Sequence, residues 1–211
     1  MDKPQLHELW IALFAPLDLE EKQIENVWLY LLKQYGGRGR AYHNLTHIST
    51  MMSLWQRHKV AFQDSDILAF SIFFHDIIYN PLRKDNELKS AEYASTILQK
   101  AGVDQERTQH CYQQILLTKS HQGPDLTQDA KYLLDFDLEI LGRDWEAYEV
   151  YTQQIRREYR IYPWPIYKKG RKAVLKHFLE LPHIYQTPHF QQSLESKARE
   201  NLKKELHILS S

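Results

Sequence analysis

The stretch "DSDILAFSIFFHDIIY", residues 64–79, limits the fold more than any other part of the chain. Its apolar residues fall on nearly every side of a helix, so a helix here must be covered all round by other elements. The composition permits such a core. The length of 211 residues suits one domain and also admits two small ones, and 43% of the residues are apolar, enough for a core. Yet the same stretch holds His75 and Asp76 side by side. A carboxylate in apolar surroundings must find a partner or lose its charge. The segment therefore predicts both a buried central helix and a reason for an ionisable pair on it.

The rest of the sequence supplies helices to cover it. Residues 17–35 carry Ile24, Val27, Trp28, Leu31 and Leu32 at helical spacing. "GGRGR" at 36–40 ends that helix in a basic loop. Asn44 is a favoured N-cap for a helix running to about His58. Asp64 or Ser65 caps the helix over 64–79. "NPLRKDNE" reads as a loop, and further helices are expected over 85–101, closed by Gly102, and over 104–119. "SHQGPD" breaks the pattern. Helices follow over 126–142, 144–162, 165–180 and 188–209, the middle pair separated by Pro163 and Pro165. No strand alternation, internal repeat or low-complexity segment appears. The expectation is an all-α fold of roughly nine or ten helices in a single domain. Its chemistry-bearing core spans about 40–142, with helices from 144 to 211 packed on it.

Charge narrows the function classes. Lys and Arg number 27, as do Asp and Glu, so no overall field pulls the chain toward a nucleic acid polymer or an anionic membrane. The single cysteine, Cys111, excludes an internal disulfide framework and suits a reducing compartment. The N-terminal residues lack the pattern of a signal peptide, and no window holds ~18 uninterrupted apolar residues. A cytoplasmic protein is expected.

Eleven histidines make the inward faces the next question. His75 shares a stripe with Leu68, Ile72 and Tyr79. On the helix over 126–142, Asp137 falls among Leu133, Phe136, Ile140 and Leu141 and is expected to point inward. Asp135, about 200° round that helix, is expected to face outward. His47 adds an imidazole from the helix beginning near Asn44. Two neutral imidazoles and two carboxylates (His47, His75, Asp76, Asp137) sum to a charge of about −2, which one divalent cation neutralises. Nitrogen with oxygen ligands suits Mn, Fe, Co, Ni or Zn better than calcium, with Mg also admitted. The competing reading is a hydrogen-bonded His–Asp pair in the core.

These residues, in the order H…HD…D, resemble the HD superfamily of metal-dependent phosphohydrolases. "YHNLTH" is similar to the Y-H-N-x-x-H segment of its cyclic-nucleotide phosphodiesterases. "DFDLEILG" resembles the segment closing the metal site in small bacterial members. "FHDIIY" and "DNELKSA" (Asp85, Asn86, Glu87, Ser90, Ala91) are similar to a group of bacterial predicted phosphohydrolases. The resemblance covers residues 40–142 and implies a helical HD-domain fold. It further implies a phosphomonoesterase or phosphodiesterase acting on a small phosphorylated metabolite or nucleotide through metal-activated water. It assigns His43 as general acid, with Asp85 and Glu87 orienting water or opening a second metal position. His121 becomes a candidate contact to phosphate or a second metal, and Arg38, Arg40, Arg83 and Lys84 candidate phosphate contacts.

The chain departs from relatives at Tyr79, where the phosphodiesterases have a further histidine, and it lacks the H-D-G-Y-P signature of cyclic dinucleotide enzymes. Rival classes are a di-metal oxygenase, for which His43, His110 and His121 are the spare ligands, and a metal-retaining ligand-sensing module. A homodimer is an admitted assembly. The aromatic group Tyr159, Tyr162, Trp164 and Tyr167, with Arg156, Arg157 and Lys168, is expected to serve packing rather than base stacking.

Overall fold

Every regular element in the structure, a computed structural model describing residues 1–210, is helical. The order is α1 (Lys3–Phe14), α2 (Glu21–Tyr35), α3 (Leu45–His58), α4 (Ser65–Phe74), α5 (Asn86–Lys100), α6 (Gln105–Leu117), α7 (Gln128–Asp137), α8 (Trp145–Glu158), α9 (Trp164–Glu180) and α10 (Pro188–Ile208). Short 3₁₀ turns follow α3 at Lys59–Ala61 and α7 at Glu139–Gly142. No strand occurs among the described residues, and none of their helices is long and apolar enough to cross a membrane. The all-α expectation holds. The chain forms two compact units, Met1–Leu133 and the residues from Leu134 on, with the division inside α7.

In the first unit α4 is the central rod: Ile67 to Phe74 are all buried. Trp10 of α1 packs edge-on against Phe73 at 5.2 Å and Phe74 at 5.7 Å, and Phe14 meets Phe70 at 4.9 Å. Helix α1 lies outside the helices read from the sequence, although its signals are present. Asp2 accepts from the Gln5 N–H and Gln5 returns a side-chain acceptor to the Asp2 N–H, both at 2.9 Å. That reciprocal pair is a capping box, and Pro4 follows inside the start. Leu6, Trp10, Leu13 and Phe14 make the buried stripe.

Polar groups pin α4 at its ends. The Asp64 carboxylate caps it through the Ile67 N–H at 3.1 Å and takes a bidentate pair from Arg107 of α6 at 2.6 and 3.0 Å. Burial acts to raise the Asp64 carboxyl, but Arg107 and the backbone donors outweigh it and hold it below its ordinary value. Asp129, on the first turn of α7, accepts from the backbone N–H groups of Gln63 and Asp64 at 2.8 and 2.7 Å.

At its far end α4 stops at Phe74, not at 79 as the apolar pattern predicts. The reason is competition for carbonyls. The Ile72 carbonyl takes a hydrogen bond from the His75 ring and the Phe73 carbonyl takes one from the Tyr35 hydroxyl, both at 2.9 Å. With these acceptors occupied, Ile77 N–H bonds the Phe74 carbonyl at 3.0 Å and the chain turns. Similarly, the helix expected over 126–142 divides into α7 and the 3₁₀ turn.

The second unit is built on α10, which packs on that turn and on α9. A Cβ on Gly142 would stand 2.6 Å from the Leu194 Cβ, so only glycine permits this approach. Asn201 donates to the carbonyls of Leu141 at 2.9 Å and Arg143 at 2.8 Å. Arg171 of α9 forms a bidentate pair with Glu205 of α10 at 2.8 and 2.9 Å, and the Tyr148 hydroxyl also donates to Glu205. All three side chains are buried.

Asp135 corrects an expectation. It is fully buried rather than outward-facing. Its carboxylate accepts from the N–H of Gln186 at 2.6 Å and from the N–H and hydroxyl of Thr187 at 2.8 and 2.6 Å. Thr187 is itself the N-cap of α10. Burial pushes the Asp135 carboxyl up to about 6 against these donors, so it remains ionised at neutral pH. Asp135→Asn turns one acceptor oxygen into a donor facing donors. An unmade buried bond costs about 1–3 kcal/mol, so the thermal midpoint should fall by roughly 2–10 °C. A calorimetric midpoint within a degree or so of the parent would refute this anchoring role.

Candidate metal centre

Asn44 begins the centre. Its side-chain oxygen accepts from the N–H of Thr46 at 2.8 Å and of His47 at 3.4 Å, starting α3. Its amide donates to the Ala41 carbonyl at 2.9 Å and so fixes the preceding loop. This cap places His47 on the first turn of α3, where it is buried. Its ring lies against Tyr42 at 4.9 Å and faces the His75 ring at 5.4 Å.

His75 is the C-cap of α4 and is 1% exposed. Its Nδ1 lies 2.9 Å from the Ile72 carbonyl, which can only accept. In the neutral ring Nδ1 therefore carries the proton and Nε2 the lone pair, the tautomer a metal ligand needs. Asp76 Oδ2 is 3.4 Å from that Nε2 and 3.9 Å from Nε2 of His43.

Asp137 is the last residue of α7. Half-buried, it brings a carboxylate oxygen to the two histidines. One atom from each of His47, His75 and Asp137 lies within 4.8 Å of the others. Asp76 meets this group through His75. Two imidazole nitrogens and a carboxylate oxygen, with one ring already held in the ligating tautomer, fit a borderline divalent cation.

The turn carrying Asp76 is held from several sides. Arg40 donates to the carbonyls of His43 at 3.1 Å, Asp76 at 2.6 Å and Ile77 at 3.0 Å. Its guanidinium sits over the rings of Tyr35 at 4.9 Å and Tyr79 at 5.2 Å. Arg40, expected to contact substrate, thus holds the backbone on both sides of the centre. Beyond the turn, Ser90 Oγ accepts from the Ile78 N–H at 3.1 Å. Asn86 accepts from the Asn80 N–H at 3.0 Å and donates to the Asn80 carbonyl at 2.9 Å. The segment "DNELKSA" therefore anchors the turn to α5, with Ala91 buried behind Ser90.

His43 comes into the same place from the loop before α3. Its ring lies tilted against Tyr79 at 4.5 Å and meets Tyr42 edge-on at 5.1 Å. Other expected residues stand differently. Asp85 is taken by Arg83 in a bidentate exposed pair at 2.8 and 2.6 Å. Glu87 is half-buried on the first turn of α5. Lys84 and Arg38 are exposed, and the Lys84 carbonyl accepts from Lys119 Nζ at 2.8 Å. His121 lies half-buried in the break before α7 in a left-handed conformation, φ 54°, its N–H on the Leu117 carbonyl at 2.9 Å. His110, a spare ligand in the oxygenase reading, is exposed on α6 and is not one of the converging residues. Cys111 is no nucleophile: it is buried, and burial pushes its thiol up to about 12.

Comparison of the chain with protein-family models, with curated proteins and with solved structures returns no match.

Proposed function

We propose that this chain is a metal-dependent phosphohydrolase of the HD type, cleaving a phosphate ester of a small metabolite or nucleotide. The observation that carries the reading is the convergence of His47, His75 and Asp137, with His43 standing beside Asp76. In this reading His47, His75, Asp76 and Asp137 hold one divalent cation. Such an ion, when bound, supplies Lewis acidity toward phosphoryl oxygens and lowers the pKa of water. The chain's own part is to position and to move a proton. Arg40 fixes the turn that presents Asp76. His43 Nε2, 3.9 Å from Asp76 Oδ2, holds the proton that passes to the leaving oxygen. Tyr42 and Tyr79 confine the His43 ring, so it arrives in one orientation.

The test joins metal content to phosphate release. Elemental analysis of the purified protein is expected to find about one divalent metal per chain, and added Mn to support phosphate release from phosphorylated metabolites. Asp137→Asn should weaken metal affinity at least tenfold, the scale at which even groups outside the ligand set act. A protein that takes up no divalent metal in titration, or an Asp137→Asn variant with unchanged affinity, rejects the site. Metal uptake without release from any phosphate ester rejects the activity.

A further inference from the structure

The overall charge balance conceals a segregation in the second unit. Residues 156–177 contain eight lysines and arginines and one acid, Glu158, in a chain whose charges cancel only as a whole. Arg171 is consumed by Glu205, and Glu158 is buried. The rest reach solvent: Arg157, Arg160, Lys169 and Lys176 are exposed, and Lys168 and Lys172 half-exposed. The four lysines share one shallow depression of about 440 Å³ on α9, with Pro165 and Ala173 and no acid among its lining residues.

Beside them the corner between α8 and α9 displays apolar side chains. Ile161, Trp164 and Ile166, all within six residues, are 58%, 50% and 58% exposed. The corner is stiff. Arg156 donates to the carbonyls of Tyr159 at 2.9 Å and Tyr162 at 3.2 Å, and its guanidinium stands over the Tyr167 ring at 4.7 Å. Pro163 caps α9 and Pro165 occupies its first turn. Trp164 keeps one side against Tyr167 at 5.8 Å, while Ile161 and Ile166 are left mostly in water, which is costly for apolar side chains.

We infer that the α8–α9 corner docks on the surface of an anionic phospholipid bilayer. Each half of the feature matches one layer of that partner. Lysines and arginines meet the headgroup charge. Isoleucine and tryptophan side chains enter the boundary between headgroup and acyl chain, where amphipathic aromatic rings settle. A polyanion such as a nucleic acid would match the cations but would leave Ile161 and Ile166 in water. A second copy of the chain would match the apolar tip but would set like charges against each other.

The experiment is sedimentation of the full chain with vesicles of phosphatidylcholine alone and of phosphatidylcholine with phosphatidylserine. Partitioning should be at least tenfold stronger on the serine-containing vesicles and should fall with added salt. Each cation at such a surface is worth roughly fivefold, so Lys169→Gln with Lys176→Gln should lower partitioning roughly twenty-fivefold. Ile161→Ser with Ile166→Ser should lower it roughly tenfold at unchanged charge. Both pairs are surface changes, and an unaltered thermal midpoint verifies their folding. Three results would overturn the inference. One is an absence of binding to anionic vesicles at low salt. Another is an isoleucine pair with undiminished lipid binding and a chain that prefers an oligonucleotide. The third is a concentration-dependent dimer that the isoleucine pair dissolves and lipid does not displace.

Discussion

Replacing His43 by alanine is expected to lower turnover of alkyl phosphate esters by ~10²–10⁴-fold, the range for general acid–base catalysis. Metal content should stay at the parental level, because His43 is not one of the three residues whose ligand atoms converge. The loss should be small for nitrophenyl phosphates, whose leaving group departs without a proton. His47→Ala should behave otherwise and lose metal together with activity on both ester types. The geometry behind the contrast is local. His47 sits on the first turn of α3 facing His75, whereas His43 stands in the loop before it, its Nε2 3.9 Å from Asp76. Kinetics on both esters, with metal quantified in each sample, decide the matter. A metal-replete His43→Ala variant that loses both activities equally has lost a positioning group and not an acid.

Glu205→Ala should cost about 3–5 kcal/mol of stability, the scale for breaking a buried ion pair from one side. Arg171 would keep its charge in a buried place, with the Tyr151 and Tyr148 hydroxyls at 3.4 and 3.5 Å beside it in place of a carboxylate. Tyr148 would lose the carboxylate to which its hydroxyl donates. The midpoint of thermal unfolding should drop by roughly 10 °C, and Glu205→Gln, retaining one acceptor, should fall between. Denaturant titration of the three proteins measures this directly. A cost near zero for Glu205→Ala would mean that water enters and rescues the guanidinium.

Most of the helical order can be read from apolar periodicity, because α2, α3, α5 and α6 each show solvent one polar face. Reading fails where a second set of partners comes from far along the chain. Asp135 looks outward by phase, yet Gln186 and Thr187 arrive some fifty residues later to donate to it. Helix α4 looks longer than it is, since apolar counting does not register that Tyr35 and the His75 ring occupy its last carbonyls. In the centre, His47, His75 and Asp137 are legible because burial of ionisable groups is a sequence-level anomaly. The work of Arg40 is not legible. An arginine in a glycine-rich loop reads as a phosphate contact or a solvated cation until its carbonyl partners, 36 and 37 residues away, are seen. Asn86 and Ser90 are visible only as part of a resemblance, and the structure supplies their hydrogen bonds.

The end-pinning of α4 bears on a degeneracy. A helix that is apolar on every side gains almost the same burial whichever way it is turned about its own axis. Hydrophobic contact alone thus leaves the azimuth of such a rod undetermined. Advancing one residue turns a helix by about 100°, and a slip of that size would carry His75 away from His47. What selects one azimuth is directional: Asp64 with Arg107 and Asp129 at the start, and Tyr35 with Arg40 at the finish. The few hydrogen bonds at the two tips thereby decide which way the histidine looks, while the bulk of the oily surface between them is indifferent.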